Sequence, residues 1–110
     1  MVSQQLLTYG LCGLEMGVSE KMIEQFRKGT SPQNWQGEVD IVEVKTLTLS
    51  LIEKTVEDFE KGVLKAGPQA RFPYSTSFAG ELENLADAVH FNNLHEGLHF
   101  GTIKALQRFV

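Results

Sequence analysis

The chain has 110 residues, of which 42% are hydrophobic and 22% charged, and its formal net charge is −4. We expect one small domain over residues 1–110, because this length supports a single core. Acidic and basic residues are interspersed along the chain. Without a basic patch, no nucleic-acid partner is expected.

The N-terminal segment and the single cysteine bear on location. Residues 1–14 lack the positive segment of a signal peptide and are interrupted by Gln4, Gln5 and Gly10, which argues against a signal peptide and a membrane span. Cys12 cannot form an intramolecular disulfide, and we expect it to be a small buried hydrophobe. The sequence therefore predicts a cytoplasmic protein that does not contact membranes.

Two helices are predicted in the first third of the chain. The first covers residues 3–14 and corresponds to the end of a helix, with apolar residues at helical spacing: Leu6, Leu7, Leu11 and Leu14. The second is short, begins after Ser19 as N-cap and ends at Gly29. It is supported by a Glu24–Lys28 pair at i,i+4 spacing and by an apolar face of Met22, Ile23 and Phe26.

A long helix is predicted over residues 40–61, after a loop at 30–37. Its apolar stripe has three- and four-residue steps and consists of Ile41, Val44, Thr48, Leu51, Ile52, Thr55, Val56 and Phe59. A strand is the alternative for residues 44–51, where apolar and polar residues alternate. We prefer the helix, because a Glu57–Lys61 pair follows and no turn residue separates the two parts.

The last helical region is predicted over residues 81–110, after a loop that contains Pro68 and Pro73. Its core-facing stripe again has three- and four-residue steps and consists of Leu85, Ala88, Asn92, His95, His99, Ile103, Leu106 and Val110. Two imidazoles in this buried stripe are difficult to supply with hydrogen-bond partners, since each presents a donor and an acceptor. Four residues advance a helix by about 400°, so His95 and His99 can hold one metal ion between them.

The segment His95-Glu96-Gly97-Leu98-His99 also matches the HExxH pattern of zinc peptidases, in which Glu96 would be the general base. A peptidase needs a third protein ligand, and residues 100–110 contain no His, Asp, Glu or Cys. The peptidase is therefore the least favoured function. His90 lies roughly 140° around the helix from His95, and we expect it to be a surface or second-contact residue.

Residues 91–106, FNNLHEGLHFGTIKAL, resemble the last helix of the DinB-like superfamily, which carries the motif His-x-x-x-His-x-Gly-x-Ile. The motif positions are occupied by His95, His99, Gly101 and Ile103, whereas Thr102 replaces the usual Gln. The resemblance continues upstream through residues 4–11, 19–23 and 28–30, and so covers nearly the whole chain.

The resemblance implies an all-α fold, namely a DinB-like four-helix bundle that is incomplete here, with three main helices plus a short helix. It also implies a divalent metal ion, zinc or nickel, held by three histidines, of which His95 and His99 are two. The third normally lies near the start of the segment that matches residues 2–11, where this chain has none. Family members also carry a helix ahead of that point, so the chain corresponds to the C-terminal two thirds of the usual domain.

An incomplete bundle predicts an apolar groove, which a homodimer would cover. Two chains then bring four histidines together; otherwise water with a weaker ligand, Gln4, Gln5 or Tyr9, completes the site, or a histidine is encoded upstream of Met1. Some relatives are transferases or isomerases that use a low-molecular-weight thiol, which a divalent cation holds as thiolate. The resemblance thus implies a metal-dependent thiol transferase or isomerase, with Asn92 and Glu96 near the ion. A non-catalytic structural or dimerisation module is the alternative.

Overall fold

The structure, a computed structural model, describes residues 1–110 and is mostly helical. Helix α1, Val2–Gln5, continues directly into a π-helical turn, Leu6–Gly10. The other helices are α2, Glu20–Phe26, α3, Ile41–Glu60, and α4, Leu85–Leu106, with short 3₁₀ turns at Pro32–Asn34 and Gln107–Phe109. None of these helices combines the length and the apolar character that a membrane span needs.

Between α3 and α4 lies the one departure from the all-α prediction. Strands β1, Tyr74–Ser75, and β2, Glu81–Leu82, form an antiparallel pair in which Tyr74 faces Leu82 and Ser75 faces Glu81. Each strand has only two residues, too few to show the alternation that reveals strands in a sequence. The mostly helical fold is confirmed, with this small hairpin as an addition.

Side-chain caps set where three of the helices begin. Ser19 Oγ accepts a hydrogen bond from the Met22 N–H at 3.2 Å, and Asp40 Oδ1 accepts one from the Val42 N–H at 2.8 Å. Asn84 Oδ1 caps α4 in the same way at 3.0 Å. Helix α3 therefore matches the predicted helix over residues 40–61, and the strand alternative is wrong. Helix α4 begins four residues later than predicted, because the chain first completes β2.

Helix α1 and its π-helical turn take part in both apolar clusters of the core. One cluster contains Leu7, Leu11, Leu82 and Ala88, and the other contains Val2, Val18 and Leu51. Cys12 is fully buried, as predicted, and this burial raises the pKa of its thiol. The first helix is thus the centre around which the later elements pack.

The predicted apolar stripes of α3 and α4 are buried only where α1 covers them. On α3, Leu51 is buried, whereas more than half of each of these side chains is exposed: Ile41, Ile52, Val56 and Phe59. On α4, Ala88 and Asn92 are buried, whereas every residue from 96 to 110 is exposed. The prediction that the whole α4 stripe faces the core is therefore wrong for its C-terminal half.

Hydrogen bonds as well as apolar packing hold α3 against the N-terminal helix. Gln4 Nε2 donates to Thr55 Oγ1 at 3.0 Å, and the Tyr9 hydroxyl donates to Asp58 Oδ2 at 2.6 Å. Lys54 forms an ion pair with the same carboxylate oxygen. The hydrogen bonds from Lys54 and Tyr9 lower the pKa of Asp58, while burial and the bond to Asp58 raise the pKa of Tyr9.

Surface ion pairs follow the sequence prediction in one of two cases. Glu57 and Lys61 pair at 3.4 Å, as predicted, whereas Glu24 pairs with Arg27 at 3.1 Å in place of Lys28. The helical spacing ends before Lys28, because α2 stops at Phe26. Exposed pairs of this kind contribute little to stability.

We predict that Asp58→Asn lowers the free energy of unfolding at neutral pH. The variant should also lose less of this free energy than the wild type when the pH falls. The pKa of Asp58 is lower in the folded chain than its usual value of 3.8, so its contribution is present above that value and is lost as the pH falls through the folded pKa. Denaturant unfolding between pH 7 and acidic pH measures the slope of the free energy of unfolding against pH. Glu57→Gln, which removes the exposed carboxylate of the Lys61 pair, is the control and should keep the wild-type slope. An unchanged acid slope in Asp58→Asn would contradict the prediction.

A second prediction concerns Gly17, where an added Cβ would overlap the Cδ2 atom of Leu51. Leu51 is itself buried, so its side chain can make room only by disturbing its neighbours, and Gly17→Ala should destabilise the chain by about 1–3 kcal/mol. Gly101→Ala is the control, since Gly101 lies in α4 with open space around it. Alanine there should stabilise by about 0.5–1 kcal/mol. Thermal unfolding measures both changes, and a stabilising Gly17→Ala would rule out the close packing.

Candidate metal site on the last helix

His95 and His99 stand on successive turns of α4 with their rings in contact. The two Nε2 atoms are 3.2 Å apart, and the ring centroids are 4.5 Å apart at an interplanar angle of 77°. The four-residue spacing thus produces the juxtaposition that the sequence predicts. Each ring directs the nitrogen far from its own backbone towards the other.

This separation can be compared with what a shared metal ion requires. Two imidazole nitrogens that bind one tetrahedral zinc ion at about 2.0–2.1 Å lie about 3.3 Å apart. The observed 3.2 Å is close to that separation. A hydrogen bond between the rings has a similar length, but it needs one ring to donate and the other to accept.

The two histidines differ in exposure. The His95 side chain is 26% exposed, while His99 lies in the fully exposed half of α4. The expectation that both are core residues is therefore wrong for His99, because no element of the chain covers α4 beyond residue 95. The pair forms at the point where the helix leaves the core, so an ion there is reached from solvent.

Glu96 lies beside the pair and is not part of it. Its Oε1 is 3.9 Å from Nδ1 of His95, and its side chain is 49% exposed. His95 Nδ1 is buried and has no hydrogen-bond partner. Metal-bound histidines usually donate this second nitrogen to a carboxylate or carbonyl, and a small movement of Glu96 would supply such a partner.

A groove of about 370 Å³ surrounds the two imidazoles. It is lined by α4, by the start of α1 and by side chains of α2 and α3, among them Ser3, Phe26, Thr48, Glu96 and Ile103. His95 also lines a neighbouring cavity of about 440 Å³ together with Ser3 and the β1 segment. Ser3 is therefore the residue of α1 that shares both spaces with His95.

No third strong ligand joins the two histidines. The structure contains no group of three or more His, Cys, Asp or Glu side chains that could hold a metal ion. The three weaker candidates are engaged elsewhere, since Gln4 bonds to Thr55, Gln5 accepts from a backbone N–H and Tyr9 bonds to Asp58. These side chains hold α1 in place and do not complete the site.

His90 is exposed, as predicted, and lies apart from the pair.

Comparison of the chain with protein-family models, with curated proteins and with solved structures gives no match. The DinB-like resemblance therefore stays a prediction.

Two features of the site have no signal in the sequence. Ser3 shares the groove with His95, but a serine near a helix start is ordinarily a cap. Helical spacing places Asn92 in the apolar stripe, but no pattern in the sequence indicates that its side-chain carbonyl is buried without a partner. Both depend on how α1 crosses α4, which periodicity does not specify.

Proposed function

We propose that this chain is a divalent-metal-binding helical protein whose zinc or nickel ion is bound by His95 and His99. The observation that supports it most directly is the 3.2 Å separation of their Nε2 atoms. Imidazole nitrogen is a preferred ligand of both ions. The resemblance to the DinB-like superfamily adds support, and we propose that α1, α3 and α4 are three helices of such a bundle.

Two protein ligands leave coordination positions open, as in metal sites that act on substrates. We propose that a low-molecular-weight thiol occupies one of them, because a divalent cation favours the thiolate at neutral pH. Thiols of this kind stay reduced in the cytoplasm, which is the proposed location. A metal-dependent thiol transferase or isomerase is then the candidate activity, and an HExxH peptidase remains the least favoured.

Zinc binding tests the proposal. We expect Zn²⁺ to raise the melting temperature of the wild-type chain, since an ion that binds only the folded state stabilises it. His99→Ala should weaken zinc affinity at least about tenfold. Removing a residue that only hydrogen-bonds to a metal ligand already lowers metal affinity or activity by about 10–100-fold, and His99 is itself a proposed ligand. Isothermal titration calorimetry and thermal unfolding measure both effects. His90→Ala, which removes the exposed histidine of the same helix, should bind like the wild type.

Equal zinc affinity in the wild type and in His99→Ala would contradict the proposal. Ser3→His provides an opposite test, because residue 3 lines the groove that contains both imidazoles. A third imidazole there should increase zinc affinity, and this increase should disappear when His99→Ala is added.

The exposed half of α4 supports a second copy of the chain as partner, and with it the alternative of a dimerisation module. Large apolar side chains between 53% and 84% exposed follow His95 on this half: Leu98, Phe100, Ile103, Leu106 and Phe109. A buried aromatic side chain covers about 150–250 Å², so Phe100 and Phe109 could supply about 300–500 Å² of the roughly 800 Å² per partner that a stable interface buries, and the three aliphatic side chains add to this area. We propose a homodimer formed through this surface.

Ile103→Glu should weaken the homodimer at least about tenfold, because a charge would be buried at its centre. Ala86→Glu is the matched control, since Ala86 is also exposed on α4 but lies 17 residues before Ile103, about 26 Å along the helix axis and outside this surface. Sedimentation equilibrium over a range of concentrations measures the dissociation constant. A wild-type chain that stays monomeric at high concentration would rule the homodimer out.

A further inference from the structure

The cavity of about 440 Å³ beside His95 combines an apolar wall with several polar groups. Its apolar wall consists of Leu6, Leu7 and Phe91. The polar groups come from residues 74–77 and from three further side chains, Ser3, Lys28 and His95. Cavities of about 300–1,000 Å³ with mostly apolar walls and a few polar groups bind small molecules. This cavity is therefore large enough for a small organic molecule.

The wall of this cavity contains no carboxylate, although the chain has 14 acidic residues and a net charge of −4. Four other cavities of the surface each contain at least one: Glu96 in two of them, Glu60 in the third, and Glu38, Asp40 and Glu43 in the fourth. Lys28 is the only permanently charged side chain in the wall. Because opposite charges attract and like charges repel, this cavity favours an anion over a cation.

Lys28 is available to such an anion, because the end of α2 separates it from Glu24. The helix stops at Phe26, and Arg27 has an extended backbone, with φ −68° and ψ 161°. Lys28 therefore does not lie one helical turn after Glu24, which pairs with Arg27 at 3.1 Å. No ion pair of the chain includes Lys28.

Three hydroxyl groups of the wall also lack a hydrogen-bond partner within the chain, namely those of Ser3, Tyr74 and Ser77. The other two hydroxyls are engaged, since Thr76 Oγ1 donates to the Gly80 carbonyl at 2.7 Å and Ser75 Oγ to Glu81 Oε1 at 3.5 Å. Tyr74 and Ser77 are exposed, and Ser3 is half-buried. A molecule in the cavity can therefore reach the free hydroxyls.

We propose that this cavity binds a small molecule in which one carboxylate is joined to an apolar body. A carboxylate carries one negative charge and accepts several hydrogen bonds, which matches the single cation and the free hydroxyls. The apolar body would lie against Leu6 and Phe91. Inorganic phosphate fits less well, because Lys28 balances only one charge of a dianion and the apolar wall would stay without a contact.

The proposal does not depend on a metal ion, since Lys28 and the hydroxyls bind the anion without one. His95 lines both this cavity and the groove around the imidazoles, so a bound carboxylate compound would lie beside the proposed zinc site. Carboxylates also bind zinc directly. The experiments therefore use the metal-free chain, and a failure there would leave the proposed zinc binding unaffected.

The probes are hexanoate, hexanamide and inorganic phosphate. Hexanoate and hexanamide have similar shapes and differ in charge, whereas phosphate has the charge without the apolar body. In nuclear magnetic resonance titrations of the metal-free wild type, the backbone amide signals of residues 74–77 should shift with hexanoate and saturate. The dissociation constant should be at least about threefold lower than with either other probe at equal ionic strength, as expected for one partly exposed ion pair. Equal affinity for hexanoate and either other probe, or no saturating shift, would overturn the proposal.

Lys28→Gln should lose the preference for hexanoate over hexanamide, because it removes the charge and keeps a polar side chain. Lys28 is exposed, so the variant should melt at the wild-type temperature. Lys45→Gln is the matched control, since Lys45 is also exposed but lies on α3 outside the cavity wall, and it should bind hexanoate like the wild type. A folded Lys28→Gln variant that still prefers hexanoate would also overturn the proposal.

Discussion

The contact between the N-terminal helix and α3 is the constraint on which the rest of the structure depends. Leu51 is the only fully buried apolar residue of α3, and the partly buried Leu47 packs against the same cluster; two further connections are polar. Gln4 bonds to Thr55, and Tyr9 bonds to Asp58. Directional bonds at two points fix the rotation of α3 about its axis, which non-directional apolar contact alone would leave loose.

Helix positions were largely predictable from the sequence, because they depend on local chemistry. Caps at Ser19 and Asp40 and the glycine after α3 are short-range signals, and each helix begins where its cap lies. Burial was not predictable to the same degree. An apolar stripe shows which face of a helix can be buried, but only another element decides which part of it is. The C-terminal half of α4 has the stripe without the covering element.

The candidate site likewise has one part that the local sequence predicts and one part that only the tertiary structure decides. The spacing of His95 and His99 predicts that the two rings meet, because both residues belong to one rigid helix. What lies opposite them depends on tertiary structure, so neither the position of Ser3 nor the unpaired carbonyl of Asn92 could be derived. Periodicity specifies a pair of ligands, and only the arrangement of the helices specifies the rest of the coordination sphere and the shape of the groove.

The π-helical turn at Leu6–Gly10 explains how one short segment reaches α3 at two points. In a regular α-helix, residues five apart such as Gln4 and Tyr9 point about 140° away from each other. The wider turn, closed by bonds between residues five apart such as Leu11 N–H to Leu6 C=O, brings them nearer to one side. The additional residue in this turn thus allows both Gln4 and Tyr9 to face α3. Deleting one residue there would leave Gln4 and the tyrosine four residues apart in a regular helix, about 40° from each other, so both polar contacts with α3 should survive the deletion. Converting the turn to a regular α-helix with every residue kept would instead turn Tyr9 away from Asp58.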